Sequence, residues 1–117
     1  MAIELTLPYP PSANRYWRTN RNGHVYKSED AKAYAWHVMA AAPGVIPFTQ
    51  NVRVEIDVYR PRRSGDLDNR LKVTMDSLEG IAYEDDAQVV ELHARRFDDK
   101  HNPRVEVRVE PVAEVAA

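Results

Sequence analysis

Asp66 and Asp68 flank Leu67, and Lys72 follows Asp68 by one helical turn. A second acidic group, Glu84-Asp85-Asp86, comes after a short apolar-patterned stretch. Carboxylates with no thiolate or imidazole partner suit hard divalent cations, which take oxygen ligands. A neighbouring lysine suits the negative charge that builds up when a phosphodiester is attacked. Together these residues predict a magnesium site in a metal-dependent nuclease. Each acid also has a plainer role. Asp66 or Asp68 can cap a helix by accepting its unpaired N–H groups. Asp68 and Lys72 are spaced for a surface ion pair worth roughly 0.3 kcal/mol. Glu84-Asp85-Asp86 can be a solvated turn. What points to a site is the conjunction: acids before and after one helix, with Arg60-Pro61-Arg62-Arg63 leading into it from a strand.

The rest of the chain limits the alternatives. Its 117 residues, 44% of them hydrophobic, suit one domain with a real core and leave no room for two. That domain is expected over residues 1–112, with 113–117 a frayed tail lacking turn, charge or core signals. The absence of cysteine excludes disulfide frameworks, thiolate metal sites and cysteine nucleophiles. His24, His37, His93 and His101 do not share metal-ligand spacing, which disfavours a zinc hydrolase. No secretory signal and no membrane-length apolar run is visible, so a cytosolic protein without membrane contact is expected. A net charge of −2 argues against non-specific coating of nucleic acid. The signs are segregated, however. Arginine and lysine gather at 15–27 and 60–72 and acids at 76–86, so a basic groove can lie beside an acidic centre.

The elements that must position these groups follow from periodicity. Ile3 to Leu7 alternates as a strand and stops at prolines 8, 10 and 11. Ser12 to Lys27, rich in Asn, Arg, Tyr and Trp, reads as a long loop or irregular ribbon of the kind that binds something. Ser28 is a helix cap followed by acids, and Ala31 to Ala42 is a helix with Tyr34, Val38 and Ala41 on one face and core packing expected for Tyr34 and Trp36, ended by Pro43-Gly44. Val52 to Val58 alternates cleanly as a half-buried strand. From Asp66 or Leu67 to Glu79, Leu67, Leu71, Met75 and Leu78 recur at helical spacing and predict a single core stripe, with Gly80 closing the helix. Residues 89–97 and 105–109 read as strands, and Asp98 to Pro103 as a hairpin between them. The order strand, helix, strand, helix, strand, strand predicts an α+β domain with two main helices packed on a mixed sheet.

Two motifs carry a family resemblance. Arg63-Ser64-Gly65-Asp66-Leu67-Asp68-Asn69, then Lys72, then Tyr83-Glu84-Asp85-Asp86-Ala87-Gln88-Val89, resembles the signature of the RusA family of Holliday junction resolvases. Leu7-Pro8-Tyr9-Pro10-Pro11-Ser12-Ala13-Asn14-Arg15-Tyr16-Trp17-Arg18 resembles that family's opening motif. The resemblance spans most of the chain and implies a RusA-like fold. It implies that Asp66, Asp68 and Asp86 are the essential carboxylates holding Mg2+, with Mn2+ able to substitute, and that Lys72 is the essential lysine. Asp85, beside Asp86, is the second choice as a ligand. The implied activity is paired hydrolysis of a four-way DNA junction to nicks with 5′-phosphate ends, by a homodimer in a bacterial or phage-infected cytoplasm. Asn14, Arg15, Tyr16, Arg18, Arg62, Arg63, Asn69 and Arg70 are the expected DNA contacts, with core packing an equal expectation for Tyr16 and Trp17. A branched or flap DNA nuclease, or a non-catalytic junction-binding module, are the alternatives. On any catalytic reading, Asp66, Asp68 and Asp86 must converge within a few ångströms beside Lys72.

Overall fold

In the computed structural model, residues 1–62 and 67–113 are described. Their elements in chain order are β1 (Ile3–Pro8), α1 (Ala13–Tyr16), β2 (Trp17–Thr19), β3 (Val25–Lys27), α2 (Glu29–Ala40), β4 (Val52–Arg60), α3 (Leu67–Leu78), a 3-10 turn (Asp86–Gln88), β5 (Val89–Asp98) and β6 (Arg104–Pro111). β1, β6, β4 and β5, in that spatial order, form a four-stranded sheet, antiparallel except for the β4–β5 pair, while β2 and β3 form a separate ribbon. The α+β class with helices on a mixed sheet is therefore as expected.

Alternation sets which face is covered. Val52, Val54, Ile56 and Val58 of β4 and Val105, Val107 and Val109 of β6 are buried, while the residues between them are half-exposed. The register places Val54 against Val109 and Ile56 against Val107, so one face of the sheet is a continuous aliphatic floor. Each such valine or isoleucine contributes roughly 1.5–3 kcal/mol by leaving water. The helical layer rests on this floor through Tyr34 and Val38 of α2 and Val73 and Leu78 of α3, all buried. Ser28 caps α2 as its sequence foretells, with the side chain accepting from the Ala31 N–H. Parallel strands need a crossover, and α3 supplies it between β4 and β5.

Of the two forms expected for segment 12–27 the ribbon is found: α1 leads into the β2–β3 pair, in which Trp17 lies opposite Lys27. Three expectations are corrected. Trp36 is exposed on α2, because its neighbour Tyr34 takes the inward position. Residues 98–103 do not close a hairpin. β5 and β6 are not neighbours, since β4 lies between them, and the connection crosses the end of β4 where the Asp99 N–H donates to the Arg60 carbonyl at 2.8 Å. The core stripe of α3 is rotated. Val73, Thr74, Ser77 and Leu78 are buried, whereas Leu67, Leu71 and Met75 are only half-buried. The small hydroxyls fit against the sheet by bonding within the helix, Thr74 Oγ1 to the Arg70 carbonyl and Ser77 Oγ to the Thr74 carbonyl, both at 2.8 Å. The proposed tail begins at Ala113, exposed beyond β6, and its remaining residues lie outside the described ones. Among the described residues, no helix is long and apolar enough to cross a membrane.

Candidate active-site groove

The rotation of α3 turns its Leu71–Met75 side outward, and a groove forms there. A cavity of about 420 Å³ is lined by Trp17, Asp68, Leu71, Lys72, Met75, Asp76, Asp86 and Leu92. Asp68, Lys72 and Asp76 are successive i, i+4 positions of α3 and therefore share one side of the helix. β5 supplies the opposite side through Leu92, which is 44% exposed despite following the register of buried Val54.

Asp68 is exposed in the first turn of α3, where the helix dipole also favours a carboxylate. Lys72 is exposed one turn later and forms no ion pair with a described residue. Asp66 and Arg63 lie outside the described residues.

The acidic turn is built by Gln88. Its amide donates to the carbonyls of Phe48 and Gln50, both at 2.8 Å, and its carbonyl accepts from the N–H groups of Glu84 and Asp85 at 2.9 and 2.8 Å. Asp85 caps the turn by accepting from the Ala87 N–H at 2.9 Å. Tyr83 is fully buried beneath it, with its hydroxyl donating to the Met75 carbonyl at 2.7 Å, and burial holds that hydroxyl well above its ordinary pKa. Asp86, not Asp85, is the residue that lines the groove. Asp85 nevertheless stays close, since the carboxylates of Glu79, Asp85 and Asp86 come within 4.8 Å of one another. Glu79 was not singled out in the sequence, where it reads only as the last residue of a helix.

Asp68 and Asp86 line the same groove. Asp86 stands by Glu79, just past the end of α3, whereas Asp68 is in its first turn. The convergence expected of Asp66, Asp68 and Asp86 involves Asp66, which lies outside the described residues. The donor set is still all oxygen, and that chemistry fits a hard divalent cation.

The largest omission of the sequence reading is Asp76. Its Oδ2 accepts the Tyr16 hydroxyl at 2.5 Å and pairs with Lys27 Nζ at 2.9 Å. Tyr16 is completely buried and packs edge-on against Trp17, so it is a core residue and not a surface for stacking bases. Burial first, and then the bond to Asp76, hold its hydroxyl far above the ordinary tyrosine range. Sixty positions separate Tyr16 from Asp76, and no local spacing announces the pair.

Among the other expected DNA contacts, Asn14, Arg15, Arg18 and Arg62 are exposed. Asn69 is half-buried on α3. Arg70 is turned toward the opening segment, donating to the Pro10 carbonyl at 2.7 Å and stacking over Tyr9 at 4.8 Å, so its fork holds the fold together.

Comparison with known proteins gives a consistent match. The family model described as Endodeoxyribonuclease RusA matches residues 8–110. The crossover junction endodeoxyribonuclease of Enterobacteria phage 82 is 36% identical over 110 residues, covering 90% of this chain and 91% of the relative. Those of Escherichia coli strain K12 and Shigella sonnei strain Ss046 are each 34% identical over the same span and coverage.

Proposed function

The chain belongs to the RusA family of endodeoxyribonucleases, and from that membership we propose that it resolves four-way DNA junctions by hydrolysing phosphodiesters with a divalent metal, as a homodimer. The observation that carries this reading is that Asp68 and Lys72, one turn apart on the open side of α3, line one groove with Asp86. Asp66, Asp68 and Asp86 are the proposed ligands of Mg2+ or Mn2+. When bound, such a cation supplies Lewis-acid polarisation of the phosphate and an acidified water. The chain's own groups do the rest. Asp68 holds its carboxylate at the helix start, and Gln88 and Tyr83 hold the turn that aims Asp86. The ammonium of Lys72 faces the scissile phosphate and stabilises the charge of the transition state, leaving 5′-phosphate ends. Arg15, Arg18, Arg62 and, by the motif, Arg63 neutralise neighbouring phosphates, which fixes register without reading bases.

The homodimer is supported by β5. It is paired on one side only among the described residues, and eight of its ten residues are exposed, Val90, Leu92 and Phe97 among them. An edge with free N–H and C=O groups and apolar side chains invites another strand. Antiparallel pairing with a second copy about an axis at His93 sets Glu91 opposite the partner's Arg95 and Leu92 opposite the partner's Ala94. Such a twofold gives two equivalent grooves at a fixed separation, as paired cuts in a two-fold symmetric junction require.

The decisive experiment is cleavage of four-way junctions, flaps and plain duplex with and without magnesium. Paired, magnesium-dependent cuts in the junction are expected. Equal cutting of plain duplex would end the resolvase reading, preferential cutting of flaps would favour the branched-DNA alternative, and junction binding with no cutting would favour the non-catalytic one.

A further inference from the structure

Asp76 lies on the same side of α3 as Asp68 and Lys72 and lines the same groove, yet its carboxylate is already engaged by two donors from the amino-terminal third of the chain. Those donors sit at the two legs of one structure. Tyr16 immediately precedes β2 and Lys27 ends β3, so one carboxylate grips both strands at the base of the ribbon. The same base is tied by Ser28, whose N–H donates to the Tyr16 carbonyl at 2.9 Å and whose hydroxyl donates to the Arg15 carbonyl at 2.5 Å. The ribbon has little else to hold it. Its strands are three residues each, and of their side chains all but Trp17 are exposed. An isolated two-stranded ribbon is marginal in water. Beyond the grip it carries Arg18, Arg21, His24 and Tyr26 outward, and it places Trp17 on the groove wall.

The engagement of Asp76 has a second effect. Asp76 and Lys72 are one turn apart, close enough to pair, and a salt bridge there would neutralise the ammonium that faces the groove. Lys27 occupies Asp76 instead, with Nζ at 2.9 Å from Oδ2 and 5.8 Å from the centre of the Tyr16 ring.

We infer that Asp76 and Lys27 form a positioning pair: they fasten the cationic ribbon to the catalytic helix, and they keep the Asp76 carboxylate off Lys72 so that its ammonium stays available to the substrate phosphate. The second half rests on the resolvase reading of Lys72; the first half does not.

The test is a set of three variants of the full chain, Lys27→Met, Asp76→Asn and the double, with Lys27→Arg as the conservative control. Lys27 is half-exposed, so its replacement leaves the core untouched. Hydrogen exchange of amides 17–27 should quicken in both single variants and return to normal in Lys27→Arg. Asp76→Asn should raise KM for a four-way junction by about fivefold, the scale of one partly exposed ion pair. Lys27→Met should in addition lower kcat, because Asp76 is then released to Lys72, and the double variant should recover kcat relative to Lys27→Met alone. A double variant as slow as Lys27→Met would overturn the protection of Lys72. Unchanged exchange in the ribbon would overturn the fastening. Loss of kcat in Asp76→Asn together with a shifted magnesium requirement would make Asp76 a metal ligand and overturn both. If Lys72→Ala itself cleaves normally, the reading of Lys72 fails, while the exchange result still decides the fastening.

Discussion

β4 and β5 lie side by side, run in the same direction and share a register over nearly their whole length, yet they live in opposite environments. Every second residue of β4 is buried, whereas β5 has no buried residue. The difference follows from position. β4 has a strand on each side and helices over its valine face; β5 is an edge, and α3 crosses it only far enough to leave a groove. A strand that is covered holds the fold together. A strand left open, beside acids and a lysine, is the place for the proposed substrate and second subunit.

That contrast is open to direct attack. Replacing Asp68 by Asn, at the groove, should lower junction cleavage by about a thousandfold, several kcal/mol of transition-state stabilisation, while DNA binding and the melting temperature stay near wild type. Retained cleavage, measured on magnesium-loaded protein, would remove Asp68 from the site. Ile56→Ala in β4 should do the reverse, costing about 2–5 kcal/mol of stability by urea denaturation because its site is fully enclosed. A loss below about 0.5 kcal/mol would mean that β4 is not the load-carrying neighbour. Leu92→Lys in β5 should cost the folded monomer little but shift the protein from dimer to monomer in sedimentation, with cleavage falling alongside. In this cysteine-free chain, His93→Cys should form an intermolecular disulfide on mild oxidation, and a dimer that resists this cross-link would show that the pairing axis lies elsewhere. Arg62→Ala should have the smallest effect, weakening junction binding and reducing the slope of log affinity against log salt by about one. An unaltered slope would take Arg62 off the DNA path.

Much of the fold was legible because its signals are local. The alternation at Val52 to Val58, the cap at Ser28 and the glycine after Glu79 each act through neighbours a few residues away, and each element formed close to where its pattern begins and ends. Where several patterns competed for one interior, local rules failed. Leu67, Leu71 and Met75 have the right spacing for a core stripe, but the sheet accepted the smaller Val73, Thr74 and Ser77, and Leu71 and Met75 were left to line the groove. The two strands at 89–98 and 104–111 look like hairpin partners only until β4 is seen between them.

What the linear order of residues determined was chemical type: an oxygen-donor set, one lysine at the right helical offset, clustered arginines and no cysteine. These are properties of side chains and of spacing within a turn, and they survive any arrangement of the elements. Which acid faces the groove, which one caps a turn, and which one is held by a tyrosine 60 positions away were decided only when the helices docked on the sheet. Docking satisfies buried polar groups and excludes water from apolar faces over the whole molecule at once. No short stretch of chain contains that information.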